Sequence, residues 1–206
     1  MRGERAETTV VGKAEQRERT RAALVDIAAR RFARDGYAGV ALDDVVGEAG
    51  LTRGAVYHHF GSKQGLFRAV VEHAQHHVAG AVERAADGDG PALARFLDGC
   101  RAFLEASLDH EVRRILLVDG PAVLGWADWR EGDLDTSVPL LDEGVAELAA
   151  AGVIEGDLAV VATMVSGALN ELALAAAERR DAAARIDAGI ATLERMLSGL
   201  SPKATA

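Results

Sequence analysis

A single cysteine, Cys100, is all the thiol this sequence carries. It excludes an intrachain disulfide and fits a reducing compartment such as the cytoplasm. Aromatic residues make up only 4% of the chain, and no run of alternating β-branched residues is long enough to suggest a sheet. Prolines are four: Pro91, Pro121, Pro139 and Pro202. The longest uncharged apolar stretch, Leu158 to Asn170, is 13 residues, short of the roughly 20 that cross a bilayer. Met1 to Arg21 is polar and charged, unlike a secretory leader. What remains is alanine, leucine and charged residues in helical periodicity, so the fold class expected is all-α, in a cytoplasmic chain with no membrane partner.

Positive charge is also scarce, with a net charge of −9, but it is unevenly spread. Residues 1–63 hold 11 Lys and Arg against 9 Asp and Glu, and the remaining residues hold 12 against 23. A mildly basic front joined to an acidic rear is the asymmetry expected when one end alone approaches phosphates.

The front holds the informative stretch, Leu42 to Leu66. Leu42, Val45, Val46 and Ala49 fall at i, i+3, i+4 and i+7, the apolar face of a short helix. Asp43 and Asp44 suit the positive end of its dipole. Gly50 can adopt the left-handed conformation that ends one helix and aims the next. Thr52 can cap a second helix, with Val56 and Phe60 inward and Arg53, Gly54, Ala55, Tyr57 and His58 outward. This is a helix-turn-helix, whose second helix fits a DNA major groove. Arg53 is its one long donor, able to bond guanine O6 and N7 or a phosphate.

Upstream, 1–14 reads as a disordered arm and Glu15–Asp35 as the supporting helix, stopped by Gly36. Downstream, Ser62 caps a long helix to about Ala86. Further helices are expected over the stripe Leu93–Leu108, from His110 to Val118, from Val123 to Glu131, from Val138 to Ala150, from Asp157 to Glu178 and from Asp181 to Leu197, before a frayed tail. A loosely helical or irregular piece is expected through Thr136. The architecture expected is a three-helix head over 15–77, joined by a long helix to a helical domain over 78–206, about nine helices in all.

Ala49-Gly-Leu-Thr-Arg-Gly-Ala-Val-Tyr-His-His-Phe-Gly-Ser-Lys63 resembles the TetR family of bacterial transcriptional repressors without a gap, within a match spanning about residues 17 to 77. The resemblance implies that Thr52, Tyr57 and Lys63 hold phosphates and that Arg53, Gly54, Ala55 and His58 face the groove. It implies a homodimer with a helical effector-binding domain; Asp119-Gly-Pro-Ala-Val-Leu-Gly-Trp126 is similar to a segment of some members. Where the family often has a threonine before the first motif helix, this chain has Ala41.

For the sensor, aromatic and apolar residues of the middle helices are the candidates: His77, Phe96, Cys100, Phe103, Leu104, Trp126, Trp129 and Met164, each of which also suits plain core packing. For the dimer interface they are Val161, Val165, Ala168, Leu169 and Leu172 with Ile190, Leu193 and Leu197, as half of a four-helix bundle or, alternatively, an intrachain core. His73, His76 and His77 share a helix face but lack Cys or acidic partners at metal-ligand spacing, so no metal and no cofactor is expected. The function expected is an effector-responsive repressor on a palindromic, double-stranded operator, released by an unknown small molecule. The rivals are a helical enzyme with an accessory head and an interaction module without DNA binding; no nucleophile elbow or phosphate loop supports the former.

Overall fold

In a computed structural model, residues 3–177 and 181–201 are described, with side chains for all of these except 3–11 and Leu134. Among the described residues there are ten helices, one π-helical segment and no strand. In order they are α1 (Gly3–Gly39), α2 (Leu42–Glu48), α3 (Arg53–Phe60), α4 (Lys63–Ala86), α5 (Ala92–Ser107), α6 (His110–Arg113), the π segment (Arg114–Asp119), α7 (Gly120–Leu124), α8 (Trp126–Ala150), α9 (Leu158–Ala177) and α10 (Ala182–Ser198). The chain divides into two units, Met1–His73 and Ala74–Ala206, so the division falls inside α4.

The first unit is α1 to α3 and the start of α4. Leu24, Ala28 and Phe32 of α1 are fully buried, as are Val45, Val56, Leu66, Phe67 and Val70. Phe67 meets the Phe32 and Tyr37 rings edge-on at 5.0 Å, so the first turn of α4 completes the core of the helix-turn-helix. Gly36, the expected helix stop, has φ 74° and ψ 165° and breaks the helical path inside α1. The backbone of 3–14, expected as a disordered arm, is instead the beginning of α1. Physically, no proline interrupts the segment, and its Glu, Arg, Lys and Ala, which are good helix formers, flank the weaker run Thr8-Thr9-Val10-Val11-Gly12. Met1 and Arg2, and the tail 202–206, lie outside the described residues.

In the second unit α5, α8, α9 and α10 close around one core, with Leu104, Leu148, Ala173, Ile186 and Leu197 among its buried members. Asp157 caps α9 as expected, its Oδ1 accepting from the N–H groups of Ala159 at 3.1 Å and Val160 at 3.2 Å. Two differences from expectation matter for the site. Residues 126–150 form one helix, α8, so the piece expected as loosely helical or irregular is helical and joins the two helices expected around it; Pro139 lies inside it. Also, the helix expected to run to Val118 changes to π geometry at Arg114, and Arg114 Nε comes 3.6 Å from Asp119 Oδ2 five residues on, the spacing a π turn aligns.

The stripes expected to meet a second subunit are mostly spent inside the chain. Val165, Leu169, Ile190, Leu193 and Leu197 belong to the buried core, and Val161 and Leu172 pack against it. Of the eight interface candidates only Ala168 is exposed. The reason is geometric: α9 and α10 are neighbours in one chain, and their most apolar faces satisfy each other first. The outward face of α9 is a shorter series, Val160, Met164 (63% exposed), Gly167 and Ala168. By length and composition α9 could also span a bilayer, but Ala162, Val165, Ser166, Leu169, Ala173 and Ala176 are buried in this fold.

Candidate nucleic-acid interface and ligand cavity

The helix-turn-helix is built by local rules. Leu42, Val45 and Val46 bury one face of α2, and Gly50 adopts φ 65° in the turn, while the Leu51 N–H returns to the Val46 carbonyl at 2.8 Å. Val56 then anchors α3 with no exposure, which turns Arg53, Gly54, Tyr57 (51% exposed) and His58 outward; Ala55 is half-buried. Phe60, expected inward, is half-buried with the Arg21 guanidinium 5.5 Å above its ring. His59 is half-buried beside it, and burial holds its imidazole below the usual range.

Thr52 stands at the N-cap position of α3 with an extended backbone, but its hydroxyl makes no capping hydrogen bond. The expected cap is therefore absent, and the exposed hydroxyl remains free for an incoming acceptor. No acidic residue occupies the first turn of α3. Its amide dipoles thus face solvent uncompensated, a setting that favours a phosphate. Ala41 likewise gives α2 no side-chain cap.

The basic groups differ in their availability. Arg30 and Arg31 both hold Glu48, at 3.3 and 2.8 Å, which ties α1 to α2 and keeps the Glu48 carboxyl below the usual range, the Arg31 hydrogen bond leading. Lys63 places its Nζ 4.4 Å over the Tyr37 ring, and partial burial lowers its pKa. Arg53 is met by a partner the sequence reading missed. Its Nε lies 2.9 Å from Asp43 Oδ1 and its second Nη 3.0 Å from Oδ2, a two-pronged pair across the turn. Arg53 was legible as outward-facing, but Asp43 was credited only with its effect on the α2 dipole.

A cavity of about 270 Å³ opens in the second unit among α4, α5, α8 and α9. Phe96, Cys100 and Phe103, three of the eight sensor candidates, line it. The other five do not. Leu104 is fully buried core, and Trp129, also buried, accepts from Gln75 Nε2 at 3.1 Å through its carbonyl oxygen, away from the cavity wall. Trp126 (60% exposed), Met164 and His77 face outward. The aromatic pair at the start of α8 simply precedes the part of that helix that meets the cavity.

Missed were Asp133, Ser137, Leu140, Gly144 and Glu147 of α8, with Ser166 and Asn170 of α9. The α8 positions recur at i, i+4, i+7, i+11 and i+14, one continuous helical stripe, which an interrupted helix concealed. Asp133 is 7% exposed and paired with Arg130, whose other Nη donates to Ser166 Oγ at 3.0 Å. Burial pushes the Asp133 carboxyl up, against the opposing pull of Arg130 and a hydrogen bond from Asn170. Among the described residues no group of three or more His, Cys, Asp and Glu gathers as metal ligands, and His73, His76 and His77 are exposed along α4.

Burial pushes the Cys100 thiol up to about 12 from an ordinary value of 9.0. At pH 8 that leaves about a thousandth of the thiolate an exposed cysteine would hold, and only the thiolate attacks. Labelling with iodoacetamide, followed by mass spectrometry, should therefore be about three orders of magnitude slower in the native chain than in urea. Equal rates would mean that the cavity wall opens freely.

The helical arrangement is matched from both ends by known families. Residues 24–70 match the model described as "Bacterial regulatory proteins, tetR family", and residues 93–200 match "Tetracyclin repressor-like, C-terminal domain". The chain is 38% identical over 104 residues to the HTH-type transcriptional regulator TtgR of Pseudomonas putida, covering 49% of each. To AcrR of Shigella flexneri it is 30% identical over 104 residues, 50% of this chain and 48% of that one. It thus spans about half the length of the curated relatives it matches. A crystal structure of a TetR-family transcriptional regulator from Pectobacterium atrosepticum is similar over 93% of this chain and 98% of that one, at 37% identity and a TM-score of 0.77.

Proposed function

The chain belongs to the TetR family of bacterial regulatory proteins, and on that premise we propose that it is a cytoplasmic, effector-responsive repressor that binds a palindromic operator as a homodimer. The observation that carries the reading is the outward face of α3, where Arg53, Gly54, Tyr57 and His58 stand clear of the core while Val56 is locked into it. Thr52, Tyr57 and Lys63 set the head on phosphates; Arg53, Gly54, Ala55 and His58 face base edges. A few contacts per head give little affinity, so two heads about 34 Å apart read two half-sites together. The outward face of α9, with Met164 and Ala168 and with Gly167 allowing close approach, supports pairing of two copies.

Release follows from α4. It gives Leu66, Phe67 and Val70 to the core of the first unit and Val82, Glu83 and Ala86 to the wall of the cavity. A small molecule that favours one placement of this helix biases the spacing of the two heads.

The test is selection from random duplex DNA, then footprinting and fluorescence anisotropy. Two protected half-sites related by a two-fold axis are expected; binding indifferent to sequence overturns the reading. Lys63→Ala should weaken all sequences alike and reduce the salt slope by about 2, since two subunits each lose a phosphate contact worth roughly 0.9.

A further inference from the structure

We propose that the cavity selects a positively charged amphiphile, an amine on an apolar body, and rejects carboxylates of the same shape. The inference rests on reading the cavity as the effector site, and it adds the charge of the ligand. Its apolar wall, with Phe96, Phe103, Val138, Leu141 and Leu169, suits a hydrocarbon or aromatic body.

Charge decides the other end of the ligand. One guanidinium, Arg95, lines the cavity and a second, Arg130, stands behind the lining residues Asp133 and Ser166; both are spent. Arg95 Nη2 lies 2.5 Å from Glu147 Oε2, and Arg130 pairs with Asp133. Three further carboxylates of the lining, Glu83, Asp87 and Glu143, have no ion pair among the described residues and remain exposed toward solvent. With the pairs cancelled, the described lining residues leave three negative charges over an apolar space and no positive one. A ligand carboxylate would meet repulsion on entry and find no free cation, whereas an ammonium would meet attraction throughout. The feature that leans the other way is the Arg95 Nε–H, buried without a partner. With its guanidinium already neutralised by Glu147, it offers one hydrogen bond to a neutral oxygen and no net charge. Ser137, Ser166 and Asn170 add neutral hydrogen-bonding capacity on the same wall.

The experiment uses the full chain and three probes with one hydrocarbon and three ends: phenylbutylammonium, phenylbutanol and phenylbutyrate. Isothermal titration should give affinities in that order, with the amine about tenfold tighter than the alcohol and the carboxylate weaker again. The amine's advantage should shrink as salt is raised. In the triple variant Glu83→Gln, Asp87→Asn, Glu143→Gln the amine should fall to the level of the alcohol while the alcohol is unchanged. These side chains are exposed, and a thermal melt matching the parent confirms that the variant is folded. Equal or tighter binding of the carboxylate, a preference that survives in the variant, or binding of none of the three overturns the inference. Operator release is read separately by anisotropy. An amine that binds and leaves the operator bound keeps the charge selection and overturns the effector reading; a carboxylate that binds and releases the operator does the reverse.

Discussion

Gly65→Ala should weaken DNA binding by at least tenfold and destabilise the first unit, although it adds a single methyl group to a helix. A Cβ at position 65 would lie 1.9 Å from the Phe60 carbonyl oxygen and 3.1 Å from its carbon. Both are backbone atoms at the end of α3, so no side chain can swing aside to make room. Just before Gly65 the chain turns through Gly61 at φ 73° and Ser62, whose Oγ accepts from the Gly65 N–H at 2.9 Å and caps α4. The methyl group must therefore push the end of α3 off the first turn of α4, where Leu66 and Phe67 are fully buried. Overpacking costs about 1–3 kcal/mol even where side chains can adjust, and backbone against backbone lies at the upper end or beyond. Lys63 and Tyr57, the phosphate contacts of the proposed function, flank the junction, so on that reading their contacts should be lost even in molecules that stay folded. Circular dichroism should show a melting temperature lower by several degrees, and anisotropy a loss of at least tenfold in operator affinity. Gly47→Ala is the control: nothing lies within 4 Å of its added Cβ, and α2 should gain roughly 0.5–1 kcal/mol from it. A Gly65→Ala protein that melts and binds like the parent would mean that the two helices are not held this closely.

That junction shows what the sequence could and could not tell. The helix-turn-helix was legible because its determinants are local: three apolar positions on α2, a glycine in the turn, and Val56 four residues into the second helix. The contact of Gly65 with Phe60 was not, because a glycine beside a helix start looks the same whether space or a neighbour lies behind it. Periodicity on α9 and α10 identified most of the buried residues, Ala168 being the exposed exception, but could not say against what they pack. Val165, Leu169, Ile190, Leu193 and Leu197 pack within the chain, and the outward series through Met164 and Ala168 has fewer large apolar side chains, so it carries little periodic signal. In α8, Pro139 and the polar run before it suggested an interruption. The helix continues nonetheless, with the Thr136 hydroxyl donating to the Gly132 carbonyl oxygen at 2.9 Å. The stripe that lines the cavity lies on both sides of that false break, which is why the aromatic residues were found and the carboxylates were not.

Arg53→Ala should remove discrimination at one base pair in each half-site, and Asp43→Asn should lower specificity by a different route. The Asp43 carboxylate occupies the Nε and one Nη of Arg53, leaving the far edge of the guanidinium to meet guanine O6 and N7. Both side chains are more than half exposed, so the pair itself is worth only about 0.2–1 kcal/mol and acts by orientation rather than by stabilising the fold. A bidentate arginine–guanine contact is worth about 1–3 kcal/mol, so two half-sites lose roughly 30-fold to 20,000-fold in preference when Arg53 becomes alanine. Neutralising Asp43 instead removes a negative charge beside the phosphates and frees Arg53 to reach them. Affinity for random DNA should rise severalfold with a steeper salt dependence, operator affinity should change less, and the ratio between them should fall. The two effects must be coupled. In the Arg53→Ala background, Asp43→Asn should no longer alter discrimination among operator variants, and a double-mutant cycle measures that directly. If Arg53→Ala weakens all sequences equally, the guanidinium is a phosphate contact; base recognition then rests on Ala55, His58 and the backbone at Gly54, and the Asp43 pair sets register alone.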